Sequence, residues 1–446
     1  MSHIIKSVNL GSNLFKSSRI IILSAAHSST STQKPENEKK FKLLIVGGGT
    51  GGSAIAGTFA KMLNKDIGVI EPSADHYYQS MFTLVGGGLK TFDQTSRHTK
   101  DILNNYCSWI QDKAVTFDPS NNLVITKKGD KIKYDFLLLA LGLQLNYDAV
   151  KGLQEAIDGD ANVCSIYSPK YVQKVLPAVK SLKEGVALYT FPSTPVKCAG
   201  AAQKICYLSE ERLFKNSLRD KVIFKYYTAL PVIFPVPRYA EALDKYAEGR
   251  LIDVKKNRNL VEVRGDKKEA VFKIVGEEDK YEVVKYSLLH VAPPMSTPSE
   301  LWNTPLVDQA NFVSVNPDTL QHTKYKNVFA LGDCTSAPTS KTAAACASQI
   351  GVVSKNLKAA IMGQELKGKY DGYTSCPLTV SSSKVILAEF GYDGKILETF
   401  PFDQRVPRYS MFLLKVHLMP IIYWKLMVKG MWHGPSFFRK LWRFGL

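Results

Sequence analysis

A strand, a glycine-rich turn and a helix near the start of the chain, an acid closing a strand far downstream, and a basic apolar tail together predict an α/β fold. The expected architecture is two Rossmann-like dinucleotide-binding domains, the second inserted in the first, followed by a C-terminal amphipathic membrane-binding segment. Composition agrees with this. The chain has 446 residues, 45% hydrophobic and 22% charged, enough for two or three domains with substantial cores. That apolar fraction excludes a disordered protein, and seven cysteines spread over such a length exclude a disulfide-stapled secreted scaffold. No window offers the roughly 18 charge-free apolar residues of a spanning helix, which excludes a polytopic membrane protein.

The net charge of +18 gathers at the two ends. Residues 1–34 hold Lys6, Lys16, Arg19 and Lys34 and no acid, while residues 404–446 hold eight Lys/Arg and no acid. A nucleic-acid binder would line a groove or face of its folded body with cations, so no nucleic-acid partner is expected. Residues 1–34 are Ser-rich, with isolated cations and short apolar stretches, which is the composition of a mitochondrial targeting segment. A plain disordered tail has the same composition.

Residues 41–46 form a nearly all-apolar run, the signature of a buried parallel strand. The run leads into Gly47-Gly48-Gly49-Thr50-Gly51-Gly52, which satisfies G-x-G-x-x-G at positions 47, 49 and 52. A helical pattern continues to Leu63, and a second strand at residues 67–70 ends at Glu71. Alone the glycines mean little. Between a strand and a helix, with an acid about 20 residues on, they are a dinucleotide fingerprint. Glycines let the backbone approach a pyrophosphate, whose charge meets the N–H groups and dipole of the helix start. Glu71 is then left to accept hydrogen bonds from ribose hydroxyls.

Residues 134–141 read as another buried strand that closes at Gly142, with further strands expected at 186–191, 222–227 and 288–291. Residues 260–274 alternate like a hairpin around Gly265-Asp266. Residues 327–331 deliver Gly332-Asp333, and the Ala-rich residues 341–357 are expected to be helical. From Tyr409 onward, apolar and aromatic residues interleave with Lys415, Lys425, Lys429, Arg439, Lys440 and Arg443, with breaks expected at Pro420, Gly430 and Gly434-Pro435. Two or three short helices lying in a membrane interface fit this pattern, with Trp424, Trp432 and Trp442 at headgroup level. An amphipathic helix packed on the body fits it too.

The fingerprint, the Leu-Ala-Leu-Gly142 strand end and Ala-Leu-Gly-Asp333 resemble the two-dinucleotide-domain flavoproteins of the disulfide-reductase type. Within that group, Thr190-Phe-Pro-Ser-Thr-Pro-Val-Lys-Cys198-Ala-Gly and Tyr370-Asp-Gly-Tyr-Thr-Ser-Cys376-Pro are similar to the cysteine motifs of mitochondrial sulfide:quinone oxidoreductases. The tail from Glu398-Thr-Phe-Pro-Phe-Asp-Gln404 through Phe437-Phe-Arg-Lys440 resembles the same family. The resemblance implies FAD as cofactor and no metal. It puts the pyrophosphate on Thr50 and Gly51 of the Gly47, Gly49, Gly52 turn, the adenosine ribose on Glu71 and the ribityl chain on Asp333 beside Gly332. Gln79, Lys341 and Thr342 match positions that line the flavin, where a helix start would favour the anionic reduced ring. The implied organisation is a targeting segment (1–34), an FAD-binding domain in two parts (41–150 and 301–370), a degenerate dinucleotide domain (151–300) and a C-terminal region (371–446).

One departure is informative. Residues 186–191 lead not to a second glycine fingerprint but to Pro192-Ser193-Thr194-Pro195-Val196-Lys197-Cys198, whose prolines and side chains leave no cradle for a pyrophosphate. Nicotinamide binding is therefore expected to be lost. Cys198 and Cys376 stand in proline-flanked loops, whereas Cys206 and Cys346 read as helix packing. By the resemblance, Cys198 and Cys376 form the catalytic redox pair. Hydrogen sulfide would open their disulfide, leaving a persulfide on Cys376 and a thiolate on Cys198. Lys197 and the helix start after Cys198 would lower that thiolate's pKa. Two electrons would pass through FAD to ubiquinone, and the sulfane sulfur to a small acceptor such as glutathione or sulfite. The implied location is the matrix side of the mitochondrial inner membrane, with monotopic attachment through the tail. Two other functions fit the same scaffold: a non-proton-pumping NADH:quinone oxidoreductase, and a non-catalytic flavin-binding protein tethered to a membrane.

Overall fold

The computed structural model describes residues 38–442. The expected targeting segment lies outside them, as does Arg443. A seven-stranded sheet runs in the order Ser108–Ile110, Ile67–Ile70, Glu38–Val46, Lys131–Leu139, Leu123–Thr126, Ala114–Asp118, and Val328–Ala330 pairs with Lys131–Leu139. Five of these strands are parallel and end together: Ile70 is in register with Ile110 and with Val46, and Leu139 with Val46 and with Ala330. The chain segments that follow them therefore emerge at one sheet edge, where ligands of open α/β sheets gather. Those segments are the Gly47 turn, Glu71, Gln111-Asp112, Ala140-Leu141-Gly142 and Leu331-Gly332-Asp333.

A second, five-stranded parallel sheet runs Val163–Cys164, Leu288–His290, Gly185–Phe191, Val222–Thr228, Ile252–Lys255, all drawn from residues between the strands of the first. The hairpin expected around Gly265 forms from Arg258–Arg264 and Glu269–Ile274. A third strand, Tyr281–Lys285, extends it, hidden in the sequence behind the charged residues 277–280.

The antiparallel pair Thr374–Thr379 and Val385–Phe390 separates two cores. Because successive strand side chains point to opposite faces, Val385 and Leu387 join the core of the first sheet, while Ile386, Ala388 and Phe390 join that of the second. Cys376, opposite Ala388, points with them to the second core, so it lies buried in a strand and not in the expected loop.

The tail differs from expectation in three ways. Pro420 does not break it, and Tyr409–Lys429 runs as one 21-residue helix, long and apolar enough to cross a membrane. The preceding turn, Leu414–Leu418, is a wider π turn, and Pro420 opens Met419–Lys425. The proline's missing N–H and its ring are thus accommodated where a regular turn would clash. Second, one face is core: Met411, Phe412, Val416, Tyr423, Met427 and Val428 pack into the first cluster, while Leu413, Leu418 and Ile421 stay exposed. Third, two of its cations turn inward. Lys415 donates to the Ser80 carbonyl, and Arg439 pairs with Asp371 at 2.6 Å.

The tail meets the fingerprint helix, Thr50–Phe59, closely. A Cβ on Gly57 would fall 2.7 Å from the Lys429 carbonyl, and one on Gly430 (φ +72°) would fall 2.2 Å from Thr58 Oγ1. Gly430→Ala combines a left-handed backbone with that clash. It should destabilise the protein by about 2 kcal/mol in equilibrium denaturation.

Candidate active site

A cavity of about 640 Å³ opens at the common edge of the parallel strands and extends to Cys198 and into the tail. The fingerprint glycines divide into two kinds. Gly47 (φ +101°) and Gly52 are packing positions, because a Cβ on either would lie 2.4 Å from the Ala140 carbonyl or 1.8 Å from that of Gly47. A Cβ on Gly49 would meet nothing within 4 Å and would stand in the cavity. Gly51, also on the cavity wall, faces the Leu331 side chain, 2.1 Å from where its Cβ would be. Thr50 opens the helix. The Glu71 carboxylate accepts the Gly48 and Ser73 N–H groups, each at 2.8 Å, and burial raises its pKa.

On the opposite wall, Gly332 (φ +80°) donates its N–H to Gln349 at 2.6 Å. Burial raises the pKa of Asp333, against the pull of Lys341 and Lys197. Lys341 donates to the Thr335 and Ala337 carbonyls, at 2.6 and 3.3 Å. Thr342 caps the helix Ala343–Ile361 by accepting the Ala345 N–H, and it shares a hydrogen bond with Thr374. A glycine cradle, a helix start, a carboxylate at the next strand end and a second buried acid across the cavity fit a dinucleotide such as FAD.

Where a second dinucleotide would rest, the loop after Gly185–Phe191 is held by its own neighbours. The Ser193 N–H donates to Asn259 Oδ1 (3.3 Å), Thr194 Oγ1 accepts the Met295 N–H (3.0 Å), and the Lys197 N–H points to Met295 Sδ (3.4 Å). The loop ends at Cys198, held at φ +63° with its N–H on the Lys341 carbonyl at 2.7 Å. The loop thus delivers a sulfur to the cavity wall.

Cys198 Sγ lies 3.6 Å from Cys376 Sγ, although the residues are 178 positions apart. The two share a proton unevenly. The Cys376 S–H hydrogen bond and the Lys204 ammonium, 3.2 Å from Cys198 Sγ, hold the Cys198 thiol well below its ordinary pKa, while Cys376 is raised. Burial works against the Lys204 charge, but the facing Cys198 sulfur raises its pKa above that of an ordinary lysine. The remaining cysteines are the opposite case: burial pushes Cys107 and Cys164 up to about 12 and Cys334 to about 11.

Lys197 does not perform the expected task. Its ammonium donates to Gln79 Oε1 at 2.6 Å, and burial draws its pKa down to about 8. Lys204, on the first turn of the helix Ala201–Lys215, faces the sulfur instead. The sequence reading missed Lys204, and also Lys415, which burial and Lys204 draw down to about 8. Helical spacing was the available signal: Lys204 lies six residues beyond Cys198, one turn into the helix that follows it. The cavity wall also includes the apolar side chains of Leu387, Phe400, Leu418, Met419 and Phe438, together with Glu389. In reduced protein, Lys204→Met should raise the pH midpoint for iodoacetamide alkylation of Cys198 by about 1–3 units, since it removes the adjacent cation.

Residues 41–175 match the pyridine nucleotide-disulphide oxidoreductase family. The chain is 45% identical to the mitochondrial sulfide:quinone oxidoreductase of Mus musculus, over 91% of its own length and 90% of the relative's. It is 44% identical to that of Dictyostelium discoideum, over 93% and 92%. Its fold superposes on the sulfide:quinone oxidoreductase of Aquifex aeolicus with a TM-score of 0.75 at 20% identity, covering 92% of this chain and 95% of the other. Identity of this level along nearly the whole chain, on a fold that pairs two distant cysteines beside a dinucleotide cradle, means that the chain belongs to the mitochondrial sulfide:quinone oxidoreductase family.

Proposed function

We propose that this protein is an FAD-dependent enzyme that oxidises hydrogen sulfide and reduces ubiquinone, with Cys198 and Cys376 as its catalytic pair. The observation that carries the reading is the 3.6 Å approach of Cys376 Sγ to Cys198 Sγ, with Cys198 on the wall of the cavity that also holds a dinucleotide cradle. Gly49, Thr50, Gly51 and Glu71 hold the adenosine and pyrophosphate end of FAD, and Gly47 and Gly52 permit the close packing that shapes this turn. Gln79, Gly332, Asp333, Lys341 and Thr342 hold the flavin end. Bound FAD supplies a two-electron acceptor that hands its electrons on to quinone.

In the oxidised pair, hydrosulfide attacks Cys376. The Cys198–Cys376 bond breaks, Cys376 keeps the incoming sulfur as a persulfide, and Cys198 leaves as a thiolate. Lys204 is placed to receive that thiolate, since its ammonium already donates to Cys198 Sγ. A low-pKa sulfur is also the better leaving group. A thiophile such as sulfite or glutathione then removes the sulfane sulfur from Cys376. Rejoining the two sulfurs releases two electrons. The quinol takes two protons, one from hydrosulfide and one from solvent. Lys415, on the same cavity wall and drawn down to about 8 by burial and by Lys204, is the lysine we assign to that transfer.

Anaerobic mixing tests the reading. Sulfide should bleach the flavin and NADH should not. Cys198→Ser and Cys376→Ser should each keep FAD and lose sulfide-dependent quinone reduction by orders of magnitude, while Cys206→Ser retains it. Bleaching by NADH, or robust activity in either of the first two variants, would overturn the mechanism.

The exposed face of the tail supports monotopic membrane attachment; in this reading the membrane is the mitochondrial inner one, met from the matrix side, with quinone entering the cavity from the bilayer. Exposed Ile421 (57%) and Phe437 (69%) stand among tail cations, the pattern of an interfacial helix. Because the inner face of the tail is core, deleting the tail would test folding rather than attachment. Ile421→Glu with Phe437→Glu should instead release the protein from anionic phospholipid vesicles in flotation while keeping FAD. Unchanged vesicle binding would remove the interfacial reading.

A further inference from the structure

We infer that Tyr423, on the C-terminal helix, is a positioning residue of the dinucleotide cradle, so that the tail is itself part of the cofactor site. The inference rests on the FAD reading above and concerns a residue far outside the fingerprint. Tyr423 is 2% exposed. Its hydroxyl lies 2.9 Å from Thr50 Oγ1, 373 positions away, and 2.7 Å from His76 Nε2. His76 Nδ1 in turn lies 3.2 Å from the Gly48 carbonyl. The Tyr423 ring stacks on Tyr78 with centroids 4.0 Å apart and planes 17° from parallel.

The direction of each bond in this chain follows from its ends. The Gly48 carbonyl can only accept, so His76 carries its proton on Nδ1. Burial draws His76 down to about 4, so the ring is neutral and Nε2 is a bare acceptor. Tyr423 must therefore donate to His76, and its remaining lone pair accepts from the Thr50 hydroxyl. The result is a one-way series from Thr50 through Tyr423 and His76 to Gly48. It grips the turn at both ends, with Gly49, where a Cβ would meet nothing within 4 Å, between them.

The consequence is preorganisation. Gly48 has its carbonyl on His76 and its N–H on Glu71, and Thr50 has its hydroxyl on Tyr423. The N–H groups of Thr50 and Gly51, which have no acceptor within the helix they open, are held at the cavity as donors for a phosphate. Without the Tyr423 hydroxyl, the turn must be ordered by the ligand, and retention of FAD weakens accordingly. The two events are reciprocally linked: FAD in the cradle also strengthens docking of the tail.

The test is the rate at which holoprotein releases FAD, followed by flavin fluorescence well below the unfolding temperature. Wild type would be compared with Tyr423→Phe, Thr50→Val and the double variant. Tyr423→Phe keeps the stacked ring and removes only the hydroxyl. It should release FAD about 5- to 10-fold faster, the effect of losing one ordinary hydrogen bond. Thr50→Val should do the same, and the double variant should be no worse than the faster single, because both cut one series. A residue that merely packs would lower the melting temperature without changing release. Tyr423→Phe with a wild-type release rate, or strictly multiplicative effects in the double variant, would overturn the inference. A wild-type protein that takes up no FAD would instead remove the reading on which it rests.

Discussion

A buried ammonium needs a buried anion, and much of this molecule follows from how that need is met at Lys204. The residue is 3% exposed, in a position where an unpaired charge would cost several kcal/mol. Its partner is the Cys198 sulfur, so the lysine and the thiolate stabilise each other's charged forms. Three structural features must coincide for this. The proline-rich loop must end in the left-handed turn at Cys198, the helix Ala201–Lys215 must begin immediately afterwards, and Cys376 must arrive from the far side to share the remaining proton. The last depends on the hairpin Thr374–Thr379 and Val385–Phe390 standing between two cores, since only a strand with apolar neighbours on both faces carries a cysteine that deep.

The central five-stranded parallel sheet brings different chemistry to the cavity from that of the first sheet. After its strand Gly185–Phe191 the chain continues with Pro192 and Pro195 in place of a glycine turn, and two of the loop's N–H groups are taken up by Asn259 and Met295. The loop reaches the cavity and presents the Cys198 sulfur there. Two parallel sheets thus deliver a glycine cradle and a cysteine to one cavity, as expected when function resides in loops on a rigid frame.

The parts readable in the sequence were those whose signal is local. The strand, glycine turn, helix and Glu71 lie within about 30 residues, and each constrains its neighbour sterically. The proline flanks of Cys198 and Cys376 were equally local. Lys204, Lys415 and Tyr423 were not readable, because each sits in an ordinary helical stretch and gains its meaning only from groups far away in sequence, up to 373 positions for Tyr423. Lys197 misled for the same reason, since adjacency to Cys198 in sequence turns its side chain toward Gln79. The continuity of the tail helix through Pro420 was hidden because propensity predicts a break there, while the wider turn at Leu414–Leu418 removes the clash.

The tail carries two demands that pull against each other. A membrane-facing helix needs exposed apolar residues, and a wall of a buried site needs the same residues covered. The tail divides them by face: Met411, Val416, Tyr423 and Met427 go inward, while Leu413, Ile421 and Phe437 remain outside. The small residues Gly57 and Gly430 then let the inner face approach the fingerprint helix until backbone nearly touches backbone. At that separation a Cβ on either glycine would strike backbone or side chain, so the packing of the tail helix and that of the phosphate-binding turn are coupled through the helix Thr50–Phe59. On the proposed interfacial reading, the exposed face of the same tail would meet lipid, so that one element would link the cradle to the membrane.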